Sequence, residues 1–147
     1  MTELDDCGYI GFELKRQGVS EYRLEDGSRV KLKDAVLKII KDPFKTDPSG
    51  FLLNVTNLTT VYSPKELKGS PSEDVTREDL QKSIINNDMN FTTVKEEWSE
   101  YELNNGSKVR LKTILTGISS TSLYDSYGEP IYLMQMQTLN RVVPKHE

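Results

Sequence analysis

Residues 20–39 read SEYRLEDGSRVKLKDAVLKI, and residues 99–118 read SEYELNNGSKVRLKTILTGI. At a constant offset of 79, ten of these twenty positions are identical. Asp26/Asn105, Arg29/Lys108, Lys31/Arg110 and Val36/Leu115 are close substitutions. The match extends backwards through Phe12/Phe91 and Val19/Trp98. With small gaps it extends forwards through Gly50/Gly128, Leu52/Leu133, Leu58/Leu139 and Val61/Val142 to Pro64/Pro144. The chain therefore reads as an internal duplication. Residues 8–66 and 87–147 are two copies of one strand-rich unit, 67–86 link them, and 1–7 form an acidic tail.

Comparing the copies resolves what either alone leaves open. Asp34-Ala35-Val36-Leu37-Lys38-Ile39-Ile40-Lys41 has the periodicity of a short amphipathic helix. Its counterpart, Thr113 to Thr121, is rich in β-branched residues and carries Gly117, both poor in helices. If the copies share a fold, both segments are strands.

The turn between the matched strands follows from which faces can be buried. A two-residue turn at Asp26-Gly27 sets Leu24 opposite Arg29, mixing apolar and charged side chains on each face. A three-residue loop, Glu25-Asp26-Gly27, pairs Tyr22 with Val30 and puts Gly27 in the left-handed position such loops need. Tyr22, Leu24, Val30 and Leu32 then share a face. The other face sets Glu21 opposite Lys31 and, in the second copy, Glu100 opposite Arg110, predicting one ion pair in each.

Each unit thus reads as an opening strand (9–15 and 89–95), a hairpin (19–24 with 29–40, 98–103 with 108–119) and a closing strand (51–62 and 131–143). In the linker, Gly69-Ser70-Pro71-Ser72 breaks structure and Thr76-Arg77-Glu78-Asp79 offers an N-cap. Leu80, Ile84 and Ile85 would line one face of a short helix ending near Asn86-Asn87. A unit of about 60 residues with few large apolar side chains is marginal alone. The expected fold is therefore mainly β: two units pairing about a pseudo-twofold axis as an antiparallel barrel or sandwich with a shared core. Independent tandem domains are the alternative.

Composition limits function. Net charge is −4, which weighs against a dedicated DNA-binding protein. Met1-Thr2-Glu3-Leu4-Asp5-Asp6 has no apolar h-region, and no apolar run approaches a membrane span, so neither signal peptide nor membrane segment is expected. The single Cys7 suits a reducing compartment, hence a cytoplasmic protein. The triplets at Asn54, Asn57, Asn90 and Asn105 then read as strand and turn residues, not glycosylation acceptors.

Catalytic vocabulary is thin. The single His146 is penultimate, Cys7 sits among acids that disfavour a thiolate, and no phosphate-binding glycine loop appears. No catalytic residue, cofactor or metal is expected. The loop Asp42-Pro43-Phe44-Lys45-Thr46-Asp47-Pro48-Ser49-Gly50 lacks the alternating oxygens of an EF-hand and reads as turn chemistry.

The sharpest candidate is a basic stripe, Arg29, Lys31 and Lys33, repeated as Lys108, Arg110 and Lys112. Spacing by two puts three cations on one strand face. Doubled, they could grip a phosphate backbone, with Tyr124, Tyr127 and Tyr132 as stacking surfaces. Against this, residues 8–66 carry net +2 and residues 99–147 net 0, and each stripe faces a Glu. A solvated face whose lysines discourage edge aggregation is the plainer reading. Tyr132, Met134 and Met136 alternate, as a core-facing strand does. The expected function is a non-catalytic binding or assembly module for a protein partner or a second copy, with nucleic-acid binding through the stripes as runner-up and a carboxylate enzyme third.

Overall fold

A computed structural model describes residues 8–42, 44 and 50–145. The acidic tail with Cys7, His146, and residues 43 and 45–49 of the Asp/Pro loop lie outside the described residues. The protein is mainly β, with two antiparallel sheets. Its strands are β1 (Phe12–Arg16), β2 (Ser20–Leu24), β3 (Arg29–Lys41), β4 (Phe51–Tyr62), β5 (Ile84–Asn86), β6 (Phe91–Glu96), β7 (Ser99–Leu103), β8 (Lys108–Tyr124) and β9 (Pro130–Val143). The segment Asp34–Lys41, ambiguous by periodicity, is strand throughout.

Both hairpins take the expected three-residue loop. The Leu24 N–H donates to Ser28 O at 2.8 Å and the Gly27 N–H to Leu24 O at 3.0 Å. Leu103, Ser107 and Gly106 repeat those bonds, at 2.8 and 2.9 Å. Gly27 and Gly106 have φ of 91° and 88°, the region where a Cβ is strained. The register pairs Tyr22 with Val30 and Tyr101 with Val109, so Tyr22, Leu24, Val30 and Leu32 are buried together, as are Tyr101, Leu103, Val109 and Leu111.

The opening strands cross over. Residues 12–24 run antiparallel to 91–103, from Phe12 opposite Leu103 to Leu24 opposite Phe91. Hence β1 joins the sheet of β7, β8 and β9, while β6 joins that of β2, β3 and β4. This bent ribbon links the sheets, and buried Gly18 lies at its bend. A Cβ there would meet Glu97 O at 2.5 Å and the Trp98 carbonyl carbon at 2.6 Å, so the close backbone approach requires glycine.

Long strands β3 and β8 each serve two apolar clusters. One cluster joins Tyr22, Leu24, Val30 and Leu32 to Met89, Leu115, Ile118 and Tyr132. The other joins Tyr101, Leu103, Val109 and Leu111 to Ile10, Val36 and Ile39. Each strand passes from one cluster to the other between Leu32 and Val36 or between Leu111 and Leu115, and a bulge follows, between Val36 and Lys38 or between Leu115 and Gly117. At each bulge a tyrosine oxygen accepts the N–H that starts it: Val36 N–H to Tyr101 Oη at 3.1 Å, and Leu115 N–H to Tyr22 Oη at 3.0 Å. The apolar surface of each sheet is thus buried on residues from both ends of the chain, the main favourable term in such a fold.

Three expectations need correction or narrowing. The sheets do not close into a barrel: β4 pairs only with β3 and β9 only with β8 among the described residues, and between β4 and β9 only side chains meet. The linker helix is shorter than expected. Helix α1 (Arg77–Lys82) begins at Thr76 with a complete capping box and ends at Ser83. Ile84–Asn86 is instead strand β5, pairing with Thr121 and Ser120 of β8, and Ile85 is exposed. The Glu100–Arg110 ion pair is not formed; its place is described below.

Candidate functional site

The two stripes lie on the solvent faces of different sheets. On the first, Lys31 of β3 stands opposite Glu21 of β2 and Thr60 of β4, and Lys95 of β6 flanks Glu21 from the other side. Glu21 lies 3.9 Å from Arg29 and 3.8 Å from Lys31, and Lys31 also sits 5.5 Å over the Tyr62 ring. Lys95 pairs with Glu97 at 3.6 Å. Lys33 has no ionic partner among the described residues. A shallow depression of about 370 Å³ opens between Lys31, Lys33, Lys95, Leu58 and Tyr62.

On the second sheet, Arg110 of β8 stands between Glu100 of β7 and Arg141 of β9. Glu100 takes Lys108, at 3.9 Å, instead of Arg110. The Arg110 guanidinium lies 5.0 Å from the centre of the Trp98 ring and the Lys112 ammonium 4.8 Å from it. Trp98 is half-buried, so a planar guanidinium gains more by covering the indole than by an exposed ion pair. All six stripe residues are therefore where strand alternation puts them, but five are engaged locally: Arg29 and Lys31 by Glu21, Lys108 by Glu100, and Arg110 and Lys112 by Trp98. Lys95 and Arg141 enter the surface from neighbouring strands and the Trp98 indole from the link between β6 and β7, which no spacing within one strand reveals.

The tyrosines do not serve as stacking surfaces for these stripes. Tyr132 is buried, its hydroxyl donating to Asp26 and touching Ser28. Tyr124 ends β8, remote from Lys108–Lys112, and exposed Tyr127 lies in the turn beyond it. Tyr132, Met134 and Met136 do share the inward side of β9: Tyr132 is buried and Met134 packs on its cluster, while Met136 lies at the open rim.

Three groups titrate away from their ordinary values, and each is built into the core. Burial pushes the Tyr22 phenol up to about 12, helped by its bond to Glu96, and does the same to Tyr132, helped by Asp26. Burial raises Asp34, which is 3% exposed, against the opposing pull of the Ser99 and Thr113 hydroxyls. Thr113 donates to Asp34 Oδ2 at 3.2 Å, and among the described residues Asp34 Oδ1 has no hydrogen-bond partner. Among the described residues no three of His, Cys, Asp and Glu gather to hold a metal ion, and no helix is long and apolar enough to cross a membrane.

No family model, curated protein or solved structure matches the chain. The surface must then be judged by its own chemistry. Its least ordinary feature is at the sheet edges. β1 and β6 are short edges carrying Glu13, Lys15 and Arg16, or Lys95 and Glu96. Among the described residues β4 is an edge of 12 residues, Phe51–Tyr62, with no charge, proline or glycine. Between its inward side and β9 opens a cleft of about 420 Å³, floored by Phe51, Leu53, Val55 and Leu111, with Asn57 and Asn140 at the rim.

Proposed function

We propose that the chain is a non-catalytic, cytoplasmic binding or assembly module acting through exposed strand surface. The observation that carries this reading is the unguarded edge of β4. A long edge presents a row of unpaired N–H and C=O groups, and proteins that work as monomers blunt such edges with charge, proline, bulges or brevity. β4 has no charge or proline of its own and is not short, and the bulge beside it lies on β3, between Val36 and Lys38; a strand left in that state is one that another chain covers in use.

The finer architecture belongs to the same proposal: two copies of one unit, residues 8–66 and 87–147, related by a pseudo-twofold axis and sharing their cores. It is supported by the 79-residue offset of the sequence match. Core residues Tyr22, Leu24, Val30, Leu32, Leu115 and Ile118 correspond at that offset to Tyr101, Leu103, Val109, Leu111, Val36 and Ile39. The two tyrosine-to-bulge bonds correspond in the same way.

A second reading, nucleic-acid binding through Arg29, Lys31, Lys33, Lys108, Arg110 and Lys112, is favoured by Trp98 beneath two cations with Arg141 beside them. Salt titration of binding to a mixed-sequence single strand separates the two. The first reading expects no binding tighter than about 10⁻⁴ M near physiological salt, and no change on replacing Lys31, Lys33, Arg110 and Lys112 with Gln. Micromolar binding that weakens steeply with salt and disappears in the quadruple variant favours the second.

A further inference from the structure

We infer that the occupant of the β4 edge is the β4 strand of a second copy, paired antiparallel about a twofold axis through Asn57. This rests on the binding-module reading above. An antiparallel edge is self-complementary, because the same strand turned about a twofold offers the same alternation of donors and acceptors. The side chains select the register. With Asn57 opposite Asn57 of the second copy, every residue from Leu52 to Tyr62 is matched across the seam. On the outward face Leu52 meets Tyr62, Asn54 meets Thr60, and Thr56 meets Leu58. On the inward face Leu53 meets Val61 and Val55 meets Thr59. Apolar residues thus oppose apolar residues at both ends, and β4 itself brings no charge to the seam.

The long edge β9 is a poorer choice. It carries Arg141, and a twofold register centred on Met136 or Gln137 would set that charge opposite Ile131 or Leu133. The dimer would instead extend the sheet β4-β3-β2-β6 into eight strands across the seam.

The register gives a test that a misfolded variant cannot imitate. Residue 58 of one copy faces residue 56 of the other, so Leu58→Lys and Thr56→Glu should each weaken dimerisation at least tenfold. Leu58 is 55% exposed, so its replacement leaves the core untouched. Mixing the two variants should restore a heterodimer, because the ammonium introduced on one chain then faces the carboxylate introduced on the other. Sedimentation velocity across a concentration series up to about 100 µM, above the micromolar Kd of a modest interface, reads all four samples. A wild-type dimer, weakened singly and restored in the mixture, is the expected result. A monomeric wild type, dimers indifferent to both substitutions, or a mixture that stays monomeric would overturn the inference. A monomer that binds no nucleic acid sinks the twofold dimer alone. A monomer with micromolar, salt-sensitive nucleic-acid binding sinks the underlying reading as well.

Discussion

Asp34 is the group whose substitution says most about how the two long strands meet. It is a buried carboxylate with one oxygen lacking a hydrogen bond, touching Thr113 of β8, whose hydroxyl also lies 3.2 Å from Asn57 Oδ1 and 3.0 Å from Thr138 Oγ1. Burial raises its pKa above the ordinary carboxylate value. Between the unfolded and folded values the native state therefore holds more protons than the unfolded chain. The charged form costs stability as pH rises through that window, and the cost is constant above it. Asp34→Asn keeps the shape, removes the charge and adds an N–H for the acceptors around it. Leaving a buried polar atom unsatisfied costs on the order of 1–3 kcal/mol, so the variant should gain about that much near neutrality. The gain should vanish at acid pH, below the unfolded value, where the native carboxyl is itself protonated. Urea unfolding of both proteins at several pH values reads the difference. A variant less stable than wild type at neutral pH, by the same amount at every pH, would mean that Asp34 is held by its hydrogen bonds and not penalised by its burial.

Replacing Gly27 or Gly106 with Val should cost about 1–3 kcal/mol in thermal or urea unfolding, because both sit at positive φ. A loss below a few tenths at both sites would show that the loops relax freely. Gly18→Ala should cost at least as much, since its Cβ would strike backbone at Glu97 and Trp98 and not a movable side chain; near-neutral stability would mean the ribbon bend tolerates spreading. Tyr101→Phe leaves the Val36 N–H buried without an acceptor and should lose about 1–3 kcal/mol, with faster amide exchange at Val36 as its signature.

Local and repeated features are the ones that can be read from the sequence. The Glu25-Asp26-Gly27 loop fixes the hairpin register because only one loop length sorts Tyr22, Leu24, Val30 and Leu32 to a single face. The stripes can be read because alternation places Arg29, Lys31 and Lys33 together. The crossing of the opening strands cannot. Phe12–Arg16 faces two hairpins of nearly the same sequence, and local patterning does not choose between them. Arg110 escapes for a similar reason: register names the residue opposite, Glu100, but not the indole of Trp98, which covers the guanidinium better. In the linker, Thr76 announces a helix start, whereas no glycine or proline marks its end. Ile84 and Ile85 fit a helical stripe in the sequence, yet as β-branched residues they are equally at home beside β8, where β5 lies.

Both apolar clusters draw on residues from both halves of the chain, so we expect neither half to fold by itself. Residues 8–66 expressed alone put this to the proof, by thermal unfolding with an amide spectrum of the same sample. A broad, uncooperative melt and collapsed amide dispersion are expected, because Tyr22, Leu24, Val30 and Leu32 would lose Met89, Leu115, Ile118 and Tyr132. A sharp transition with well-dispersed amides from that fragment would show instead that each half carries a core of its own.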